Sequence, residues 1–166
     1  MKKEKNTIKQ KKRKENEKKM KPEENLKKLN INLPNAPDPV GSYVASKIVG
    51  NLIYISGQIS FDVDGKLIKG KLGKEISLEQ GRNAAKFCAL NILAQLRKEC
   101  GSLDKVKGCV KLTGYVNSTE SFVDQPKIIN GASDLISNIF GDEGKHTRAA
   151  ISVSSLPLGA AVEVDG

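Results

Sequence analysis

Two charged side chains stand inside apolar stretches near the end of the chain. Arg148 begins the run from 148 to 154, and Glu163 lies within Ala160-Ala161-Val162-Glu163-Val164. A charge in such a run is costly unless it is paired or used. A guanidinium can grip a carboxylate through two parallel hydrogen bonds, and a nearby carboxylate can position a water molecule. The structural alternative is an edge-strand ion pair, or exposure of both side chains to solvent.

Other kinds of chemistry have weaker support in the sequence. Cys88, Cys100 and Cys109 lack the CxxC spacing, and His146, the sole histidine, has no second imidazole as a co-ligand, so no metal site is predicted. No glycine pattern of the Walker or dinucleotide type is present. A Ser-His-Asp triad built on His146 is disfavoured, because this residue lies in a loop flanked by glycine and lysine. Cys88 is expected in the core, because it falls on the apolar face of a helix.

The first half of the chain predicts hairpins followed by a long helix. Residues 43–48 and 52–55 flank Gly50-Asn51, and residues 61–68 contain the turn pair Asp64-Gly65. Ser77 and Gln80 form a capping-box pattern ahead of a helix from Leu78 to Glu99, which Gly101 ends.

The second half predicts a strand at 106–116, a helix that starts near Pro126 and ends at Gly141, and strands at 148–154 and 160–164. The element order is therefore ββ(β)αβαββ. We expect an α+β fold in which two helices pack on one face of a mixed β-sheet. Because the sequence stops at Gly166, inside or just after a strand, the last strand is expected to be incomplete.

The positive charge lies mainly at the N-terminus. Residues 1–28 contain thirteen Lys or Arg against five Glu, a net charge of +8 out of +9 for the whole chain. Since this stretch has few apolar residues, we expect a disordered Lys-rich tail at 1–30 and one folded domain at 31–166. The tail is compatible with weak contacts to nucleic acid or an acidic surface. A membrane span is not predicted, and a cytoplasmic location is expected, with organellar targeting by the tail left open.

Several motifs together resemble one known family. They are Gly41-Ser42-Tyr43-Val44, the segment Tyr54-Ile55-Ser56-Gly57-Gln58-Ile59, Thr147-Arg148-Ala149-Ala150, and the stretch from Leu156 to Val164. In order and spacing they resemble the Rid family, which is of the YjgF type and is also called endoribonuclease L-PSP. The resemblance covers about residues 33 to 165, and it is nearer to a divergent bacterial branch than to the archetypal deaminases.

The resemblance implies a chorismate-mutase-like fold and a homotrimer with a barrel-like core, with sites in the clefts between neighbours. It implies that Arg148 binds a substrate carboxylate and that Glu163 orients the attacking water. Tyr43, the backbone of Gly57 and a main-chain group of Ala150 would line the same cleft. The implied reaction is the deamination of reactive 2-imino acids, such as 2-aminoacrylate and 2-iminobutyrate, to 2-oxo acids and ammonia without a cofactor.

Three departures from the archetype bear on activity. His146-Thr147 stands where Pro-Ala precedes the arginine, Ala150 replaces a cysteine, and Glu120 replaces an asparagine. His146 is interpreted either as a residue that reshapes the cleft mouth or as an ordinary loop residue. Two other functions stay open beside the imine deaminase: an RNA-binding protein or endoribonuclease, and a non-enzymatic trimer that binds small carboxylates.

Overall fold

The computed structural model describes residues 21–166. This part of the chain contains three α-helices and six strands. They are α1 (Pro22–Lys28), β1 (Ser46–Val49), β2 (Leu52–Ile55), β3 (Gln58–Ile59), α2 (Leu78–Cys100), β4 (Lys111–Asn117), α3 (Gln125–Phe140), β5 (Thr147–Val153) and β6 (Val162–Asp165).

The strands form a two-stranded sheet, β1-β2, and a four-stranded sheet with the order β3-β6-β4-β5. The larger sheet is mixed, because β4 pairs in parallel with β5 and antiparallel with β6. Alternate residues of β4 and β6, among them Leu112, Val116, Val162 and Val164, are buried in one core with the apolar faces of α2 and α3. The predicted α+β architecture is confirmed. The opposite face of this sheet is left open.

Local capping explains where the long helix begins and ends. The Ser77 hydroxyl accepts a hydrogen bond from the Gln80 amide at 3.2 Å, and the Gln80 side chain accepts one from the Ser77 amide at 2.9 Å. Gly101 ends α2 in the left-handed conformation, with φ of 76°. Both predicted helices are confirmed, as is the hairpin of β1 and β2, and Cys88 is fully buried.

Four predicted strands are shorter than expected, and the first of them, predicted at 43–48, starts only at Ser46. Residues 61–68 form only an isolated bridge between Phe61 and Leu67, and the last strand starts at Val162 rather than at 160. The strand predicted from 106 starts only at Lys111. Before that point the Cys109 amide donates 2.9 Å to the Glu143 carbonyl, so this stretch is held by the loop after α3 instead of by the sheet.

The expectation of disorder up to residue 30 is wrong for residues 22–28, which form α1. Its Leu26 side chain is 2% exposed. Arg97 donates 3.1 and 2.6 Å hydrogen bonds to the two carboxylate oxygens of Glu23, and the Leu103 amide donates a third at 3.0 Å. The helix is therefore anchored to α2 by specific contacts. The expectation for residues 1–20 lies outside the described residues.

Substitution Leu26→Ala should lower the free energy of unfolding by about 2 kcal/mol, because it leaves a cavity beneath α1. Urea denaturation followed by circular dichroism measures this change. The matched control is Leu29→Ala, where the side chain is 46% exposed, and its effect should stay within about 0.5 kcal/mol. Equal stability of the two variants would show that α1 does not contribute to the folded unit.

Candidate functional site

Glu163 lies on the open face of the larger sheet. Its neighbours in sequence, Val162 and Val164, are buried toward the helices, and successive residues of a strand point to opposite faces. Glu163 is itself only half-buried. Burial, and secondarily the charge of Asp165, raises the pKa of the Glu163 carboxyl above its ordinary value. A carboxylate with a raised pKa on an accessible face is suited to accept a proton from water.

Two recesses meet at Glu163. The open-face recess has a volume of about 840 Å³, and the apolar recess has a volume of about 460 Å³. The open-face recess is lined by residues that include Tyr54, Lys111, Thr113, Tyr115 and Asp165. The apolar recess is lined by residues that include Pro37, Val40, Ile59, Phe61 and Leu158. Glu163 can therefore face a ligand that has a polar part and an apolar part.

Tyr43 and Gly57 line both recesses together with Glu163. A Cβ atom added to Gly57 would overlap the Oε1 atom of Glu163, so the carboxylate lies directly against the Gly57 backbone. Only glycine leaves room for this approach. Three of the five predicted site residues are thus brought together within one chain.

Substitution Gly57→Ala should displace the Glu163 carboxylate, and for the role proposed for Glu163 below it should lower kcat by about tenfold or more, because a misplaced group loses much of its effect. Stability should change little, since the atom in conflict is the end of a flexible side chain. Steady-state kinetics and thermal denaturation measure the two effects. In a Glu163→Gln background the alanine should cause almost no further loss of kcat, and a full additional loss would exclude this explanation.

Arg148 lies at the start of β5, and its exposed guanidinium is held on one side by α3. Its Nη1 donates to Asn130 Oδ1 at 2.8 Å and to Ser133 Oγ at 3.0 Å, and Nη2 is 3.5 Å from the Pro126 carbonyl. All three acceptors are neutral. Within residues 21–166, no ion pair involves Arg148, and its Nε has no hydrogen-bond partner. The edge formed by Nε and Nη2 is the one that can hold a carboxylate through two parallel hydrogen bonds.

The strand register puts Arg148 and Glu163 on opposite faces of the sheet. Arg148 pairs with the buried Leu112 of β4, so it points to the helix side. Glu163 pairs with Tyr115 of the same strand, three residues further on, and points to the open side. Ala150 shares the strand and the face of Arg148, opposite Gly114. A single chain therefore does not bring Arg148 and Ala150 to Glu163.

Sequence reasoning missed several polar neighbours of the candidate site. Tyr115 donates a 2.9 Å hydrogen bond to Asp165 beside Glu163, and this hydrogen bond, with burial, raises the pKa of Tyr115. The alternation of Lys111, Thr113 and Tyr115 with buried residues could have identified this open face. The two side chains that hold Arg148 had no such signal, because their contact depends on the packing of α3 against β5.

The departures from the archetype have defined positions. His146 lies in the loop before β5, and its ring contacts Ser133 Oγ at 3.0 Å and the Gly144 carbonyl at 2.6 Å. Glu120 is exposed and lines neither recess at Glu163.

No helix within residues 21–166 has the length and apolar character needed to cross a membrane.

Comparisons with known proteins agree with this architecture. The family described as "YjgF/chorismate_mutase-like, putative endoribonuclease" matches residues 23–164. Protein TCP17 of Trypanosoma cruzi is 44% identical over 140 residues, which cover 84% of this chain and 88% of TCP17. The human 2-iminobutanoate/2-iminopropanoate deaminase is 28% identical over 136 residues, which cover 81% of this chain and 85% of the human protein.

A solved structure shows the same fold at higher identity than the human enzyme. A protein of unknown function from Agrobacterium tumefaciens is 41% identical, with a TM-score of 0.79, and the match covers 87% of this chain and 89% of that one. The chain belongs to the YjgF/chorismate-mutase-like family. The family prediction made from the motifs is confirmed.

Proposed function

We propose that this chain is one subunit of an oligomeric hydrolase that deaminates 2-imino acids. The observation that carries the proposal is that the chain presents both an exposed guanidinium held only by neutral groups and a half-buried carboxylate of raised pKa. Relatives named 2-iminobutanoate/2-iminopropanoate deaminase in human and rat, each 28% identical to this chain, support the same reaction class.

Arg148 is the proposed carboxylate-binding residue. Because its acceptors on α3 are neutral, they orient the guanidinium without cancelling its charge. The edge formed by Nε and Nη2, where the only partner in the described part of the chain is the Pro126 carbonyl at 3.5 Å from Nη2, then matches the two oxygens of a 2-imino acid carboxylate. Backbone groups of Ala150 lie on the same strand, which is an edge strand in the isolated chain, and are available for the rest of the substrate.

Glu163 is the proposed general base. Water attacks the imine carbon, a C–O bond forms, and Glu163 takes the proton that the water releases. The electron pair of the C=N double bond moves to nitrogen, which takes the proton from Glu163. Glu163 then removes the hydroxyl proton and passes it to nitrogen as the C=O bond forms, the C–N bond breaks, and ammonia leaves a 2-oxo acid. Tyr43 and Gly57 would fix the position of the carboxylate, and the apolar recess would accept the substrate side chain. No cofactor takes part in this scheme.

The site is proposed to form between two copies of the chain. Arg148 and Glu163 lie on opposite faces of one sheet, so both can act on the same substrate only if they come from different subunits. The open face also exposes apolar residues, including Tyr54 and Ile151, which a second copy would cover. Closed cyclic assembly of three copies, a homotrimer, satisfies this requirement at three equivalent clefts.

The direct test couples the purified chain to a threonine dehydratase, which releases 2-iminobutyrate. The proposal predicts that 2-oxobutyrate appears faster with the chain than with buffer or an unrelated protein at the same concentration. An unchanged rate at saturating chain concentration would exclude the imine as substrate.

A non-enzymatic carboxylate-binding oligomer is the second candidate, favoured by the same exposed guanidinium with only neutral partners. It predicts binding of 2-oxobutyrate without any acceleration of imine hydrolysis.

The RNA-binding alternative depends on the Lys-rich tail, most of which lies outside the described residues.

A further inference from the structure

His146 and Ser133 form a hydrogen-bonded chain that ends at Arg148. The His146 Nδ1 atom is 2.6 Å from the Gly144 carbonyl, Nε2 is 3.0 Å from Ser133 Oγ, and Ser133 Oγ is 3.0 Å from Arg148 Nη1. Ser133 and His146 are both half-buried. The deaminase scheme above gives neither residue a task.

The chemistry of the groups fixes the direction of each hydrogen bond. A carbonyl only accepts, so Nδ1 of His146 donates to Gly144. In the neutral ring Nε2 then carries a lone pair, and it accepts the Ser133 hydroxyl proton. The guanidinium only donates, so Ser133 Oγ must turn a lone pair toward Arg148. Because the Ser133 hydroxyl donates its proton to His146, it holds the orientation in which a lone pair faces Arg148 Nη1.

We propose that Ser133 and His146 are positioning residues that orient Arg148 for carboxylate binding. Ser133 acts by contact, and His146 acts by setting the rotation of the Ser133 hydroxyl. Asn130 supplies the second acceptor, so the guanidinium is held by a neutral clamp made of Asn130 and Ser133. The inference rests on the proposed role of Arg148 and does not require that the chain hydrolyse imines.

Charge is the reason why a neutral clamp suits this task. An aspartate in place of Asn130 would give the same geometry, but it would form an ion pair with Arg148 and compete with an incoming carboxylate. Neutral acceptors instead fix two N–H groups on Nη1 and leave the positive charge of Arg148 uncompensated, so that it can attract the carboxylate of the ligand.

The first experiment titrates 2-oxobutyrate into the full chain and measures Kd by calorimetry. Ser133→Ala should raise Kd about tenfold, which is the usual effect of losing a hydrogen bond to a charged group. In an Arg148→Ala background, Ser133→Ala should cause no further weakening, since the residue acts only through Arg148. Unchanged affinity in the single variant, or an equal loss in both backgrounds, would overturn the inference.

A matched pair of variants separates the two hydrogen bonds of His146. His146→Asn keeps a donor near the Gly144 carbonyl but loses the acceptor for Ser133, so it should weaken 2-oxobutyrate binding like Ser133→Ala. His146→Gln places an amide oxygen near the Nε2 position and should restore much of the affinity. Tight binding by the asparagine variant would show that the contact with Ser133 is not needed.

A third pair tests the neutral clamp. Asn130→Asp should weaken 2-oxobutyrate binding more than Asn130→Ala, although aspartate keeps the acceptor that alanine removes. If Asn130→Asp bound as well as the unaltered chain, charge competition would not operate.

An independent readout needs no ligand and no turnover. The ¹H–¹⁵N signals of the Arg148 guanidinium should be narrow in the unaltered chain and should broaden in Ser133→Ala, and unchanged signals would contradict the inference. If these signals respond but no imine is hydrolysed, the proposed function fails while the positioning inference stands. If imines are hydrolysed by Ser133→Ala with the KM of the unaltered chain, the proposed function stands and the positioning inference fails.

Discussion

Arg148→Ala is expected to lower kcat/KM for 2-iminobutyrate by about 100-fold or more, mainly through a higher KM. The guanidinium provides a charge and a two-pronged hydrogen-bonding edge, and truncating one partner of such a pair commonly costs several kcal/mol. Arg148→Lys should recover only part of the loss, because an ammonium cannot reproduce the planar fork. Initial rates over a range of imine concentrations measure the effect.

The matched control is Arg82→Ala. Arg82 is also an exposed arginine that contacts α3, through an ion pair with Asp134 in which both side chains are more than half exposed. Exposed ion pairs contribute little to stability, and Arg82 lines neither recess at Glu163. This variant should therefore keep the KM of the unaltered chain. An equal change of KM in both variants would mean that a general loss of positive charge is responsible.

Glu163→Gln is expected to lower kcat by about 10²- to 10⁴-fold with little change in KM, because it removes the proton acceptor and keeps the shape.

The free energy of unfolding should not fall in the Glu163→Gln variant. Burial raises the pKa of Glu163, so the folded state favours the protonated carboxyl more than the unfolded state does. The stabilisation is fully present below the ordinary carboxyl pKa and is lost as pH rises through the raised pKa. At pH 7 the uncharged glutamine should therefore leave the free energy of unfolding unchanged or raise it slightly.

The pH profile gives the control for this role. A base must be deprotonated, so kcat/KM should fall on the acidic side, at a pH above that of an ordinary carboxyl. The residual activity of Glu163→Gln should lack this acidic limb, whereas the exposed Glu24→Gln should leave it in place. An identical limb in Glu163→Gln would assign the titration to another group.

Local signals in the sequence predicted most of the helices and turns. Ser77 and Gln80 predicted the start of α2, and Gly50-Asn51 predicted the hairpin, because both are contacts between residues close in sequence. Helix α1 was missed because its stretch is dominated by Lys and Glu. It is held by the burial of Leu26 and by the Glu23 to Arg97 ion pair, which depends on residues 74 apart in sequence.

For a similar reason, the sequence left part of the arrangement of the candidate site open. The motifs identified Tyr43, Gly57 and Glu163, which lie together. They also assigned Arg148 and Glu163 to a cleft between neighbouring subunits, and a single chain holds the two residues on opposite faces of the sheet. Alternation within a strand tells which residues share a face of that strand, but the face relative to another strand depends on long-range register. The pairings of Leu112 with Arg148 and of Tyr115 with Glu163 are not visible in the sequence.

Mixing two inactive variants tests most directly whether the site is shared between subunits. Arg148→Ala and Glu163→Gln chains are denatured together in equal amounts, refolded, and assayed on 2-iminobutyrate beside each variant refolded alone. If Arg148 and Glu163 come from different copies, random assembly should restore about one quarter of the activity of the unaltered chain. If the mixture stays as inactive as the separate variants although mixed oligomers have formed, the two residues do not act together across a subunit interface, and a site shared between subunits is excluded.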